Sequence, residues 1–358
     1  MTKLRKHLLP AALAVFCFGA GPVLAQVKTT VPDPIAGAKP VTVENIKIHG
    51  QALEGNLEGD DPDRDVIVYL PPGYSLDPKR RYPVVYALHG YSISAQQWTG
   101  EIHTPQTIEG AFANGARDMI VVLPNARTLH NGSMYSNSVT TGDWEDFIAR
   151  DVVSYIDAHY RTLPDRLSRG LAGHSMGGYG TARIAMKHPE VFGSLYIMSP
   201  CCLSARGIRP SNPAADAALE AVKSPADSAG LPFGVRAQLA SAAAWSPNPQ
   251  NPPLHLDLPV KDGVPQPEVL ARWAANAPLA MVHQYIPALK QYRAIAMDVG
   301  DQDGLRTDTA ELHRILDSYG IANSFDIYSG THVSAVADRF QNHVLPFFSK
   351  SLSFEPAH

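Results

Sequence analysis

The chemistry in this sequence gathers around Gly173-His174-Ser175-Met176-Gly177, a G-x-S-x-G run. Leu171 and Ala172 close a short apolar run that starts near Ser168, and residues 179–188 read as a helix stopped by Pro189. A serine between glycines at a sharp strand-to-helix turn is lifted above a sheet, with no side chains to crowd it. Its hydroxyl is a weak nucleophile at neutral pH and needs a base in hydrogen-bond reach, held in turn by a carboxylate. Where such a serine occurs on an α/β sheet, the acid and then the histidine follow in chain order, each on a loop after a strand. Residues 294–299 run into Gly300-Asp301-Gln302-Asp303-Gly304, and the strand at 325–328 is followed at once by Ser329-Gly330-Thr331-His332. His332 is therefore the base. Asp303 is the favoured acid and Asp301 the runner-up, while Asp298 still lies within the strand. Among the 14 histidines, His89 and His174 stand beside the site and shape it, His188 ends a helix, and His343 lies in the last helical stretch. Acyl transfer also needs donors for an oxyanion. The amide of Met176, next after the serine, is one, and the amide of Tyr91, in the Leu88-His89-Gly90-Tyr91 turn, is the other. Tyr91 and Trp98 lie close downstream of that turn and Trp245 lies in the long insertion described below, so together they could line an apolar pocket, although each taken singly is better read as an ordinary core or cap aromatic.

The elements that must position these groups follow from periodicity. Residues 41–49 alternate, as a half-buried edge strand does, and 65–70 form a second strand stopped by Pro71-Pro72-Gly73. Residues 82–88, 119–123, 195–198 and 294–297 are continuously apolar, as strands covered on both faces are. Helices are predicted over 143–160, with Trp144, Phe147, Ile148, Tyr155 and Ile156 inward, and over 307–319. Strands alternating with helices give an α/β class: a mostly parallel sheet with helices on both faces and antiparallel edge strands at its start. More than ninety residues separate the strand ending near Ser199 from the one starting near Ala294. That is too long for a simple crossover. Its Pro-rich centre, 245–253, excludes regular helix and central strand. The segment, about 201–290, is read as a cap over the C-terminal edge of the sheet, with helices over 214–222 and 267–289.

Within 358 residues, 45% of them hydrophobic and 18% charged, one large domain over 41–352 buries a full core. Residues 1–25 have the basic, apolar and small-residue order of a cleaved signal peptide, and 26–40 a Pro/Gly/Ala-rich flexible lead-in. Export to the periplasm or the medium is expected, with no stable membrane insertion after cleavage, since the apolar run falls short of a span. Losing Lys3, Arg5 and Lys6 takes the net charge from −4 to −7, which gives nucleic acid no electrostatic footprint. Of the 3 cysteines, Cys201 and Cys202 remain. Adjacent cysteines strain a mutual disulfide, so no disulfide framework is expected. No metal or organic cofactor is called for. Asn131-Gly132-Ser133 matches a glycosylation sequon, too short a match to weigh.

Taken as a set, these residues resemble a known family. The stretch from Arg64 to Tyr74 (R-D-V-I-V-Y-L-P-P-G-Y) and that from Arg81 to Tyr91 (R-Y-P-V-V-Y-A-L-H-G-Y) resemble the putative-esterase branch of the α/β-hydrolases. That branch includes the esterase D type S-formylglutathione hydrolases, feruloyl and acetyl-xylan esterases, enterochelin-type esterases and the mycolyltransferases. G-H-S-M-G-G at 173–178 matches its elbow, D-x-G-x-x-D at 298–303 its acid at Asp303, and G-T-H at 330–332 its histidine. The resemblance implies an α/β-hydrolase fold and a cofactor-free serine esterase acting through Ser175, Asp303 and His332. Its substrate is a small-molecule or polymer-linked carboxylic ester. An acyltransferase with the same triad, or a lapsed scaffold binding glycan or envelope, is the alternative. The Pro-rich insertion departs from the formylglutathione hydrolases, so the ester itself, whether feruloyl-sugar, acetylated glycan, siderophore, drug or polyester, is not inherited with the fold.

Overall fold

The computed structural model describes residues 27–205 and 212–356; the signal-peptide reading falls outside them. Eight strands build the main sheet: β1 (Thr42–His49), β2 (Asp63–Leu70), β3 (Val84–Leu88), β4 (Ile120–Pro124), β5 (Arg169–His174), β6 (Ser194–Met198), β7 (Ala294–Gly300) and β8 (Ser324–Tyr328). They lie in the order β1-β2-β4-β3-β5-β6-β7-β8. The β1–β2 and β2–β4 pairs are antiparallel, and every later pair is parallel. Antiparallel edge strands thus precede a parallel core, as the sequence pattern predicts.

The continuously apolar strands are covered on both faces. In β3, Val84, Tyr86 and Leu88 face one core and Val85 and Ala87 the other, because successive side chains point to opposite faces. Helices α1 (Ala95–Glu101) and α2 (Thr104–Ala113), with the C-terminal Leu345–Ser351, cover one face. The helical run from Trp144 to His159 and helix α3 (Met176–Lys187) cover the other. Trp144, Phe147, Ile148 and Ile156 are buried as the spacing predicts, but the middle of that run, Phe147–Val152, is π-helical. Helix α3 begins at Met176, three residues earlier than the sequence suggests, directly at the serine.

Between β6 and β7 the insertion contains α4 (Pro213–Glu220), α5 (Phe233–Trp245) and α6 (Pro267–Ala275). The single helix expected over 267–289 is broken: α6 is followed by short turns at Pro278–Met281 and Ile286–Leu289. Ala277, before Pro278, is extended, since proline crowds its predecessor out of the helical region. Helix α5 escaped the sequence reading because it is apolar nearly all round and lacks a polar stripe. It is buried from Leu239 to Trp245, as helices of that composition are, and it carries Trp245, which the Pro-rich reading had placed outside regular structure. The lead-in at 27–40, flexible by composition, is anchored: Val27 N–H donates to Glu101 at 2.8 Å and Thr30 N–H to the Ser334 carbonyl at 2.9 Å. Among the described residues no helix is long and apolar enough to cross a membrane.

Candidate active site

Ser175 sits between β5 and α3 at φ 59°, ψ −113°, a region that L-residues with a side chain seldom adopt. The turn is tight because backbone passes on both sides. A Cβ on Gly173 would collide with the Gly177 carbonyl, and one on Gly177 with the Leu88 carbonyl at the end of β3. Three hydrogen bonds pin the serine backbone: Ser175 N–H to the Met198 carbonyl and Cys201 N–H to the Ser175 carbonyl, both at 3.1 Å, and Tyr179 N–H to the Ser175 carbonyl at 3.0 Å.

Two loops converge on its hydroxyl. After β7, Asp303 is buried; after β8, His332 is partly exposed. His332 Nε2 lies 2.9 Å from Ser175 Oγ, and His332 Nδ1 lies 2.8 Å from Asp303 Oδ2. Asp303 can only accept, so Nδ1 carries the proton and Nε2 is left to accept from the serine. Asp303 Oδ1 takes the Leu305 N–H at 2.9 Å. Burial alone would push this carboxyl up, but the hydrogen bond and charge of His332, with the Leu305 N–H, outweigh it and hold the group below the usual carboxylate range. Asp301 has another task. It is exposed, and its carboxylate accepts the Gly330 N–H at 2.9 Å. Gln302 N–H to the Gly330 carbonyl at 2.9 Å and Asp301 N–H to the Tyr328 carbonyl at 2.8 Å complete a zipper between the two loops.

His174 and His89 flank the serine as neutral groups. Burial, then the neighbouring His332, pushes His174 down to about 3. Its Nε2–H therefore donates to the His332 carbonyl at 2.8 Å. Burial likewise pushes His89 down to about 4. Its Nε2 accepts the Ala126 N–H at 2.9 Å, which leaves the proton on Nδ1 to donate to the Gly90 carbonyl at 2.8 Å. That carbonyl belongs to the same peptide unit as the Tyr91 N–H. A planar trans peptide points the two in opposite directions, so His89 sets the aim of the Tyr91 amide. A Cβ on Gly90 would stand 3.5 Å from Ser175 Cβ, which places this turn against the nucleophile. Among the described residues neither the Tyr91 nor the Met176 N–H has a hydrogen-bond acceptor.

The three aromatic candidates separate. Tyr91 stays at the site, its ring 5.4 Å from Phe233 of α5 and its hydroxyl donating to the His130 carbonyl at 3.0 Å. Trp98 is buried on the opposite face of the sheet against Phe340, and Trp245 is buried between Tyr179 and Trp273. Sequence reasoning did not find the brace beneath the two loops. Arg339 Nε donates to Asp298 at 2.8 Å, its Nη1 meets Asp326 at 2.7 Å, and Tyr196 O–H donates to Asp298 at 2.8 Å. The one signal for it was an acid inside the apolar strand β7. Among the described residues Cys201 and Cys202 are free, and no group of three or more His, Cys, Asp or Glu side chains is placed to hold a metal ion.

The chain is similar to known proteins in sequence and in fold. Over 138 residues, 37% of this chain, the sequence is 31% identical to an endo-1,4-beta-xylanase/feruloyl esterase of Xylanibacter ruminicola; the match covers 19% of that protein, so the chain spans about a fifth of its relative's length. A solved ferulic acid esterase superposes with a TM-score of 0.61 at 21% identity, covering 88% of this chain and 100% of that one. The fluorophosphonate-binding serine hydrolase F of Staphylococcus aureus superposes with a TM-score of 0.59 at 16% identity, covering 87% and 99%. Both share the α/β-hydrolase fold. The sequence model of the family described as Putative esterase matches residues 61–348, most of the chain, and the protein belongs to that esterase family.

Proposed function

We propose that the protein is an exported serine hydrolase of carboxylic esters that works through an acyl-enzyme. One observation carries this: the Ser175 hydroxyl, held at a strained turn, meets His332 at 2.9 Å, and His332 meets a buried Asp303 at 2.8 Å. In the reaction Ser175 Oγ forms a bond to the ester carbonyl carbon while its proton passes to His332 Nε2. Asp303 stabilises the imidazolium. The Tyr91 and Met176 amides donate to the oxyanion, and removing one such donor typically costs a factor of about 10² to 10³ in turnover. On collapse the bond to the alcohol breaks, and the alcohol leaves with the His332 proton. Water, deprotonated by the same histidine, then releases the acid and restores the serine. His174 stays neutral beside the imidazolium, so no second positive charge opposes it.

Membership of an esterase family and the feruloyl esterase named among the relatives support this reading. They make aryl and hydroxycinnamoyl esters the first substrates to test. Export rests on residues 1–25, and a periplasmic or secreted protein beginning at Gln26 would support it. The mechanism is tested by intact mass after incubation with a fluorophosphonate. A single adduct, absent from Ser175→Ala of unchanged far-UV circular dichroism, is expected. No adduct on the folded wild type, or an adduct that survives in the variant, overturns it.

A further inference from the structure

Helix α5 carries a charge that the fold does not use. Arg236 is 5% exposed, its Nε is enclosed without a hydrogen-bond partner, and no described carboxylate forms an ion pair with it. Residues 1–26, 206–211 and 357–358 contain no Asp or Glu either. A guanidinium so closely packed, with its Nε enclosed, is normally matched to a carboxylate or a ligand.

The position of Arg236 says where the answer comes from. Phe233 and Arg236 are three apart on α5 and share a face, and Phe233 packs edge-on against the Tyr91 ring at 5.4 Å. The positive charges of Arg236 and Arg127 both bear on the Tyr91 hydroxyl. Tyr91 follows Gly90, which stands against Ser175, and a Cβ on Gly132 would meet both the Tyr91 ring and the Met176 sulfur. Two arginines, one of them on α5, thus bear on the residue that carries the Tyr91 amide, in a chain whose formal net charge is −4. Arg127 is partly engaged, donating to Asn131 Oδ1 at 3.0 Å; Arg236 is not.

We propose that Arg236 binds a carboxylate on the substrate, so that the preferred ester carries a free acid on its acyl or its alcohol part. The inference rests on the hydrolase reading above and narrows it to anionic esters. A guanidinium fork takes a carboxylate through two parallel N–H donors. A charged hydrogen bond of this kind corresponds to at least about tenfold in affinity.

The test compares carboxylates with their neutral amide twins: mono(4-nitrophenyl) adipate against 4-nitrophenyl adipamate for the acyl side, and 3-carboxyphenyl butyrate against 3-carbamoylphenyl butyrate for the alcohol side. Wild type is expected to favour one carboxylate over its twin by at least about tenfold in kcat/KM. Arg236→Met should erase that preference, leave the amide twin within about threefold, and melt no lower than wild type, because an unpaired buried charge has been removed. Arg236→Lys should retain part of the preference. Equal rates within both pairs in the wild type overturn the inference without any variant, as does a preference that survives in Arg236→Met. A fluorophosphonate adduct without anion preference overturns the inference alone; no adduct and no turnover of the four esters overturns the hydrolase reading with it.

Discussion

Ser175 pays in strain for its exposure above the sheet, with a φ of 59° that glycine adopts freely and serine does not. Ser175→Gly is therefore expected to abolish ester hydrolysis and to stabilise the fold by about 1 kcal/mol in urea unfolding. Unchanged or lowered stability would show that the turn is not strained in solution. The two acids separate in the same way. Asp303→Asn presents the wrong group to His332 Nδ1 and should lower kcat by about 10⁴, whereas Asp301→Asn keeps the oxygen that accepts the Gly330 N–H and should leave kcat within about tenfold. Away from the reacting atoms, Glu58 has a side chain only 1% exposed and a carboxyl oxygen without a partner. Burial first, then Asp60, pushes it up to about 8, against the His130 N–H and Arg64. Between its ordinary value of 4.5 and 8 the folded chain holds a proton that the unfolded chain has released, so stability falls as pH rises through that window. Glu58→Gln removes this slope and is expected to stabilise the protein on the order of 2 kcal/mol at pH 8 but little at pH 4. Equal gains at both pH values would refute the assignment.

The elements place the candidate catalytic groups through contacts distant in sequence. Asp298 on β7, Tyr196 on β6 and Arg339, just after the His332 loop, form one buried network, which the exposed Asp326 on β8 joins through Arg339. Burial pushes Asp298 up to about 6 in spite of Arg339, so part of the pair's attraction is spent on desolvation. Arg339→Met strands that acid. It should cost about 3 kcal/mol in urea and lower kcat more than it raises KM, because the His332 and Asp303 loops lose their common anchor. An unaltered kcat would confine the network to stability. This network also marks the limit of sequence reading. Ser175, His332 and Asp303 were legible because a glycine-flanked serine, and acids and histidines at strand ends, leave local signatures. So were the strands, whose apolar runs report burial on both faces. Arg339 was not legible, because its partners lie 13 to 143 residues away and nothing local distinguishes it from a surface arginine. Helix α5 was missed for a different reason: alanines on every face carry no periodic signal. The break at Pro278 was legible in principle, since proline's missing N–H and its effect on Ala277 are local.

At the scale of the whole molecule, the parts of the site have unequal support. Ser175 follows β5, which is flanked by β3 and β6, whereas His332 follows β8, the last strand, which pairs with β7 alone. Strand β8 is mostly solvent-facing, with Ile327 48% exposed. Such margins open locally at lower free energy than the interior. On warming, fluorophosphonate labelling of Ser175 should therefore fade a few degrees below the loss of far-UV circular dichroism, and coincident transitions would count against this. In the interval the protein would be silent yet undenatured. It would regain reactivity on cooling as fast as one short strand can re-pair, with no refolding of the domain. A proposed exported enzyme, working away from the chaperones of the cytoplasm, would in that range treat a passing heat stress as a pause.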